Sequence, residues 1–99
     1  MDTPQELIDE LIDASVKYGE AIEIGDSNQT IIQRATIYKI RESVNGSEYI
    51  EELKKLLDHS NDYVRYKTAF SLLPFEPDKA RETITELFNK SEFWNIGRK

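Results

Sequence analysis

The chain contains no cysteine, which excludes a disulfide framework, a thiolate metal site and a cysteine nucleophile, and which suits a reducing cytosol. Its single histidine, His59, stands between Asp58 and Ser60 in a loop signal, where the plain reading is a solvated corner residue and the alternative is a chemical role. The four glycines are scattered, so no glycine-rich phosphate loop can be assembled. No apolar run approaches the roughly 20 residues that span a bilayer, and Met1-Asp2-Thr3-Pro4 lacks the basic start and apolar stretch of a signal peptide. A soluble, cytoplasmic protein that does not enter membranes is the expectation. No segment alternates with period two, so no sheet is expected.

Basic residues are scarce at the start of the chain. The first 26 residues hold eight carboxylates against Lys17 alone, a local charge of −7, which leaves +1 for the other 73 residues of a chain whose net charge is −6. Nearly all of the net charge therefore belongs to one segment. At 99 residues the chain fits one domain, which buries about 60 to 70% of the surface its unfolded form exposes.

What the sequence has in abundance is helical periodicity. Thr3-Pro4-Gln5-Glu6 has the form of a capping box with proline at the first helical position. From there Leu7, Leu11, Ala14, Tyr18, Ala21 and Ile22 recur at helical spacing, widened by Ile8 and Ile12, until Gly25 stops the helix. Asp26 with Gln29 opens a second helix carrying Ile31, Ile32, Ala35, Tyr38 and Ile40, which Asn45-Gly46 ends. Ser47 caps a third, with Ile50, Leu53, Leu56 and Leu57 as its inner stripe and Lys54 and Lys55 near its C-terminus. A corner at His59-Ser60-Asn61 leads into a fourth helix from about Asp62 to Leu73, which Pro74 terminates. Pro77 starts a fifth with Ala80, Ile84, Leu87 and Phe88 as its stripe, and Glu92-Phe93-Trp94-Asn95-Ile96 reads as the opening of a sixth. Trp94, with Phe93 and Ile96, is expected to close the open end of the stack.

Two features point to a repeat array. Residues 27–40 can be laid over residues 60–73 at an offset of 33, within the range of helical repeats, which pairs Ile31 with Val64, Ala35 with Thr68 and Ile40 with Leu73. The pattern Asp62-x-Val64-Arg65-x-x-Thr68-Ala69-x-Ser71-Leu72 resembles the second helix of a HEAT repeat, although Thr68 and Ser71 stand where alanines are common. Over nearly its whole length the chain also resembles the small, uncharacterised bacterial proteins grouped as domain-of-unknown-function family 2019. The resemblance implies an all-α, single-domain stack of five or six short antiparallel helices, a HEAT/armadillo-like alpha-alpha superhelix in which Arg65 bridges to a neighbouring turn. It carries over no catalytic motif.

Three groups of side chains are candidates for function. Glu6, Asp9, Glu10 and Asp13 share the side of the first helix away from its apolar stripe, and the like-charge pairs at i,i+4 cost roughly 0.2 to 0.5 kcal/mol each. Such a one-signed surface attracts a basic partner; equally, it serves as a solubilising face whose first-turn acids suit the helix dipole. A helix face lacks the wrapped oxygen cage that calcium prefers, so no metal is expected there. On the fourth helix Tyr63, Tyr66 and Phe70 fall together, with Lys67 at the rim, opposite Val64, Thr68, Ser71 and Leu72. Either this is an aromatic anchor patch, or an inner helix buries both of its faces.

No nucleophile, base and orienting partner can be assembled from spacing, and no cofactor motif is present. The expectation is a non-enzymatic protein-binding module with a basic protein partner, of the immunity or inhibitor type that masks a toxin or nuclease. An adaptor or scaffold and a self-associating homodimer are the alternatives. Nucleic acid is disfavoured because a duplex carries dense negative charge of the same sign as the chain.

Overall fold

Each of the first five periodic stretches becomes a helix, and several helix ends have a local cause. The computed structural model describes residues 3–43 and 47–90, which form α1 (Pro4–Ile24), α2 (Ser27–Ser43), α3 (Ser47–Leu56), α4 (Asp62–Leu72) and α5 (Pro77–Phe88). The chain is an all-α stack with no strand among the described residues. The stop at Asn45-Gly46, the side-chain cap at Ser47, the sixth helix and the closing role of Trp94 with Phe93 and Ile96 lie outside what is described.

The Thr3 hydroxyl accepts the Glu6 amide at 3.2 Å and donates to the Glu6 carboxylate at 3.1 Å, so the expected capping pair forms. Gly25 ends α1 at φ 75°, a left-handed conformation that only glycine adopts without strain. Asp26 then accepts the Gln29 amide at 3.0 Å and turns the chain into α2. At the corner before α4 the cap is Asn61, whose side chain accepts the amides of Tyr63 at 2.9 Å and Val64 at 3.2 Å. His59 is a corner residue as expected, but a half-buried one that builds the corner: its Nδ1 accepts the Asn61 amide at 3.0 Å.

α4 is the central helix. It packs against α1, α3 and α5 and buries Val64, Thr68, Ala69, Ser71 and Leu72 together with Tyr63, so residues on nearly its whole circumference leave water. Leu11 of α1, Leu53 of α3 and Leu87 of α5 are likewise fully buried around it. This density has a local cost, because the buried hydroxyls of Ser15 and Thr68 find no hydrogen-bond partner among the described residues, each worth about 1 to 3 kcal/mol of lost hydration.

α2 departs from the expectation. It packs substantially against α1 alone and buries only Ile37 and Ile40, whereas Ile31, Ile32, Ala35 and Tyr38 are exposed. The proposed equivalence at an offset of 33 therefore fails in burial: Val64 and Thr68 are inside, and Ile31 and Ala35 are outside. An apolar stripe records which side of a helix is adhesive, but burial needs a second element on that side.

Candidate partner-binding surfaces

The first candidate surface is the outer side of α1. Glu6, Asp9, Glu10 and Asp13 are all exposed, because the helix turns Ile8, Leu11, Ala14 and Ser15 inward and leaves the opposite side to water. Lys17 pairs with Asp13 at 3.0 Å, and the Gln5 amide group donates to Asp9 at 2.9 Å. Glu6 and Glu10 have no ion pair among the described residues.

Beside the start of this stripe the N-terminus of α1 and the face of α3 enclose an open cleft of about 470 Å³, lined by Thr3, Pro4, Gln5, Glu48, Glu51 and Glu52. The acidic surface thus continues onto a second helix. Glu51 and Glu52 are held in part by Lys54 at 3.3 Å and Lys55 at 3.1 Å. Sequence reasoning missed these glutamates as part of the surface, since only the fold brings the start of α1 against α3.

The second candidate surface is divided by the structure. Tyr63 is 8% exposed and packs edge-on against Tyr18 with ring centroids 6.1 Å apart, so it belongs to the α1–α4 core and not to a surface patch. Gly19 explains why: a Cβ there would overlap the Tyr63 ring, and its absence leaves the ring a slot on α1. Tyr66 and Phe70 are half-buried and touch edge-to-face at 4.9 Å, with Phe88 of α5 6.3 Å from Tyr66. Lys67 lies with its ammonium 4.0 Å above the Tyr18 ring.

Lys67 sits over Tyr18, which at about 100° per residue lies about 120° to 180° round α1 from Glu6, Asp9 and Asp13 but only about 80° from Glu10. The acidic and aromatic groups thus diverge over most of the stripe and approach each other at Glu10.

Lys67 is the most perturbed group of this region. Burial, then the neighbouring charges of Arg34 and Arg41 on α2, push it from its ordinary 10.5 down to about 8. The unfolded chain keeps that proton up to about pH 10.5, so unfolding takes up a proton between pH 8 and 10.5 and stability rises with pH across that window. Tyr49 and Tyr63 act with the opposite sign. Burial raises both from 10.0 to about 12, so unfolding releases protons between pH 10 and 12 and stability falls. Urea titrations are expected to give maximal stability near about pH 10. Lys67→Met is expected to abolish the rise above pH 8 and to stabilise the protein at pH 7 by about 1 to 2 kcal/mol, after partial exposure and the lost attraction to the Tyr18 ring (about 0.5 to 2 kcal/mol) are set against the relieved burial. A variant that keeps the full rise assigns it to another group.

No group of three or more histidine, aspartate or glutamate side chains among the described residues is placed to hold a metal ion. No described helix is long and apolar enough to cross a membrane.

No family model matches the chain, and no solved structure matches it. It is similar to methionine–tRNA ligases from two strains of Leptospira interrogans, serovars copenhageni and Lai, each 36% identical over 90 residues. The match covers 91% of this chain and 12% of each ligase. The chain thus spans about one eighth of the length of the curated relatives it matches.

Proposed function

We propose that the chain is a non-enzymatic protein-binding module whose acidic α1 face receives a basic protein partner, in the manner of an immunity or inhibitor protein that covers the basic site of a toxin or nuclease. The observation that carries this reading is the uninterrupted exposure of Glu6, Asp9, Glu10 and Asp13, relieved only by Lys17 and extended by the glutamates of the α1–α3 cleft. Self-repulsion along this stripe is a standing cost that a cationic surface removes on binding. The HEAT-like and family resemblances are in keeping with a binding scaffold.

The second reading, an adaptor module, is favoured by the match to a short part of a much longer ligase, which is the behaviour of a unit that larger proteins carry. Self-association through the α4 aromatics has less support, since Tyr63 is inside. The partner is first captured from the source cell and its binding rate to the wild-type chain is measured. Reversing Glu6 and Glu10 to lysine, which moves the net charge from −6 to −2, is then expected to slow association by about tenfold or more at low salt and by less than about twofold at high salt. An unchanged rate at low salt refutes charge steering and leaves the adaptor, and a doubled mass for the free chain in solution establishes the homodimer.

A further inference from the structure

The exposed side of α2 is patterned rather than merely uncovered. Ile31, Arg34, Tyr38 and Arg41 follow one another at steps of three, four and three residues, which puts them in one row along the helix, and all four are exposed. Ile31 and Tyr38 are 61% and 59% exposed, so both present most of their surface to water. Apolar and basic residues alternate along the row. Steps of seven residues put Ile31 and Tyr38 about 10.5 Å apart along the axis, and Arg34 and Arg41 the same distance.

The C-terminal end of the row comes near α4. Arg41 reaches the Phe70 carbonyl at 3.5 Å, and the charges of Arg34 and Arg41 are both felt at Lys67. Three cations are thus gathered on one side of an acidic chain. None of them forms an ion pair among the described residues. Like charges held near one another without a counter-charge favour an anionic ligand.

We propose that the row Ile31–Arg34–Tyr38–Arg41, flanked by Lys67, docks an acidic amphipathic helix of a protein partner, with apolar residues two turns apart against Ile31 and Tyr38 and carboxylates against Arg34 and Arg41. The sign of the charge selects an acidic ligand. The repeat of about 10.5 Å in both the apolar and the basic positions selects a helix, whose own side chains return to one face every seven residues. Nucleic acid fits less well, because the chain carries a net charge of −6, of the same sign as a phosphate backbone. A second copy fits less well too: the outward row of α1 is Glu6, Asp9, Glu10, Asp13, Lys17 and Glu20, which offers carboxylates without apolar residues between them.

This site is separate from the acidic face of α1, and its test leaves that face untouched. The probe is a synthetic helical peptide with leucine at positions i and i+7 and glutamate at i+3 and i+10 of one face. It is titrated up to about 1 mM into the wild-type chain while the α2 amide resonances are followed. Saturable shifts centred on Arg34 to Arg41 are expected, with affinity lowered at least tenfold by Arg34→Glu with Arg41→Glu and by Tyr38→Ala. All three side chains are exposed, so the variants are expected to melt with the wild type. The same peptide with lysine in place of glutamate is expected to leave the α2 resonances unmoved, even where it meets the acidic face of α1. Absence of binding, equal shifts at α2 from the lysine peptide, or indifference to the arginine reversals overturns the proposal. Tighter binding of a single-stranded RNA oligonucleotide replaces it with a nucleic-acid site, and a doubled mass that the arginine reversals abolish replaces it with self-association.

Discussion

Arg65→Met is expected to lower the unfolding free energy by about 3 kcal/mol, because this arginine ties three helices together from a largely buried position. Its side chain is 12% exposed. Nε–H donates to the Leu57 carbonyl at 2.8 Å, just past the C-terminal end of α3, and Nη2 donates to Glu86 of α5 at 3.0 Å. The carbonyl contact is the larger contribution: a hydrogen bond from a charged donor is worth about 1.5 to 3 kcal/mol, and a cation at a helix C-terminus adds about 0.3 to 1 kcal/mol. The pair with Glu86 adds little, since that carboxylate is 58% exposed and solvent screens it. Methionine keeps most of the packing of the arginine stem, so the loss reads the polar contacts. Glu86→Gln is accordingly expected to cost less than about 0.5 kcal/mol, and Arg65→Lys about 1 to 2 kcal/mol because a lysine cannot span both acceptors. Urea unfolding of the three variants checks the order. If Glu86→Gln costs as much as Arg65→Met, the ion pair and not the α3 carbonyl is what Arg65 contributes.

The bridging role of Arg65 came only from the resemblance of its helix to a HEAT repeat; its partners, the Leu57 carbonyl and Glu86 of α5, lie on other elements that spacing alone does not bring together. The helix boundaries, by contrast, were legible. Thr3, Gly25, Asp26 and Pro77 act through backbone groups within a few residues of themselves, so local chemistry decides them. The acidic row of α1 was equally open to reading, since charge and the 3.6-residue repeat suffice to place it. What was not legible depends on distant elements. The apolar row on α2 has the same spacing as a buried one and differs only in lacking a neighbour. The cationic gathering of Arg34, Arg41 and Lys67 requires the end of α2 to come near α4, although 26 positions separate Arg41 from Lys67. Interleaved acids along the chain concealed it.

Tyr63 shows the same limit most sharply, and Gly19→Ala makes it measurable. Spacing grouped Tyr63 with Tyr66 and Phe70, yet the ring leaves that group because α1 offers it the space of a missing side chain. A Cβ at position 19 would collide with Tyr63 close to the root of its ring, where the side chain has little freedom to swing away. Alanine is otherwise the better helix former by about 0.8 to 1 kcal/mol, so a conformational argument alone calls for stabilisation. The opposite is expected: Gly19→Ala lowers stability by about 2 to 3 kcal/mol, the cost of overpacking a site where two helices meet. Tyr63→Ala alone is expected to cost about 3 to 5 kcal/mol through the cavity it leaves. In the Tyr63→Ala background the collision is gone, and Gly19→Ala is then expected to become neutral or stabilising by up to about 1 kcal/mol. That change of sign in a double-mutant cycle, followed by urea or thermal unfolding, isolates the contact. If Gly19→Ala is equally damaging with and without the tyrosine, the glycine serves the backbone of α1 and not the ring of α4.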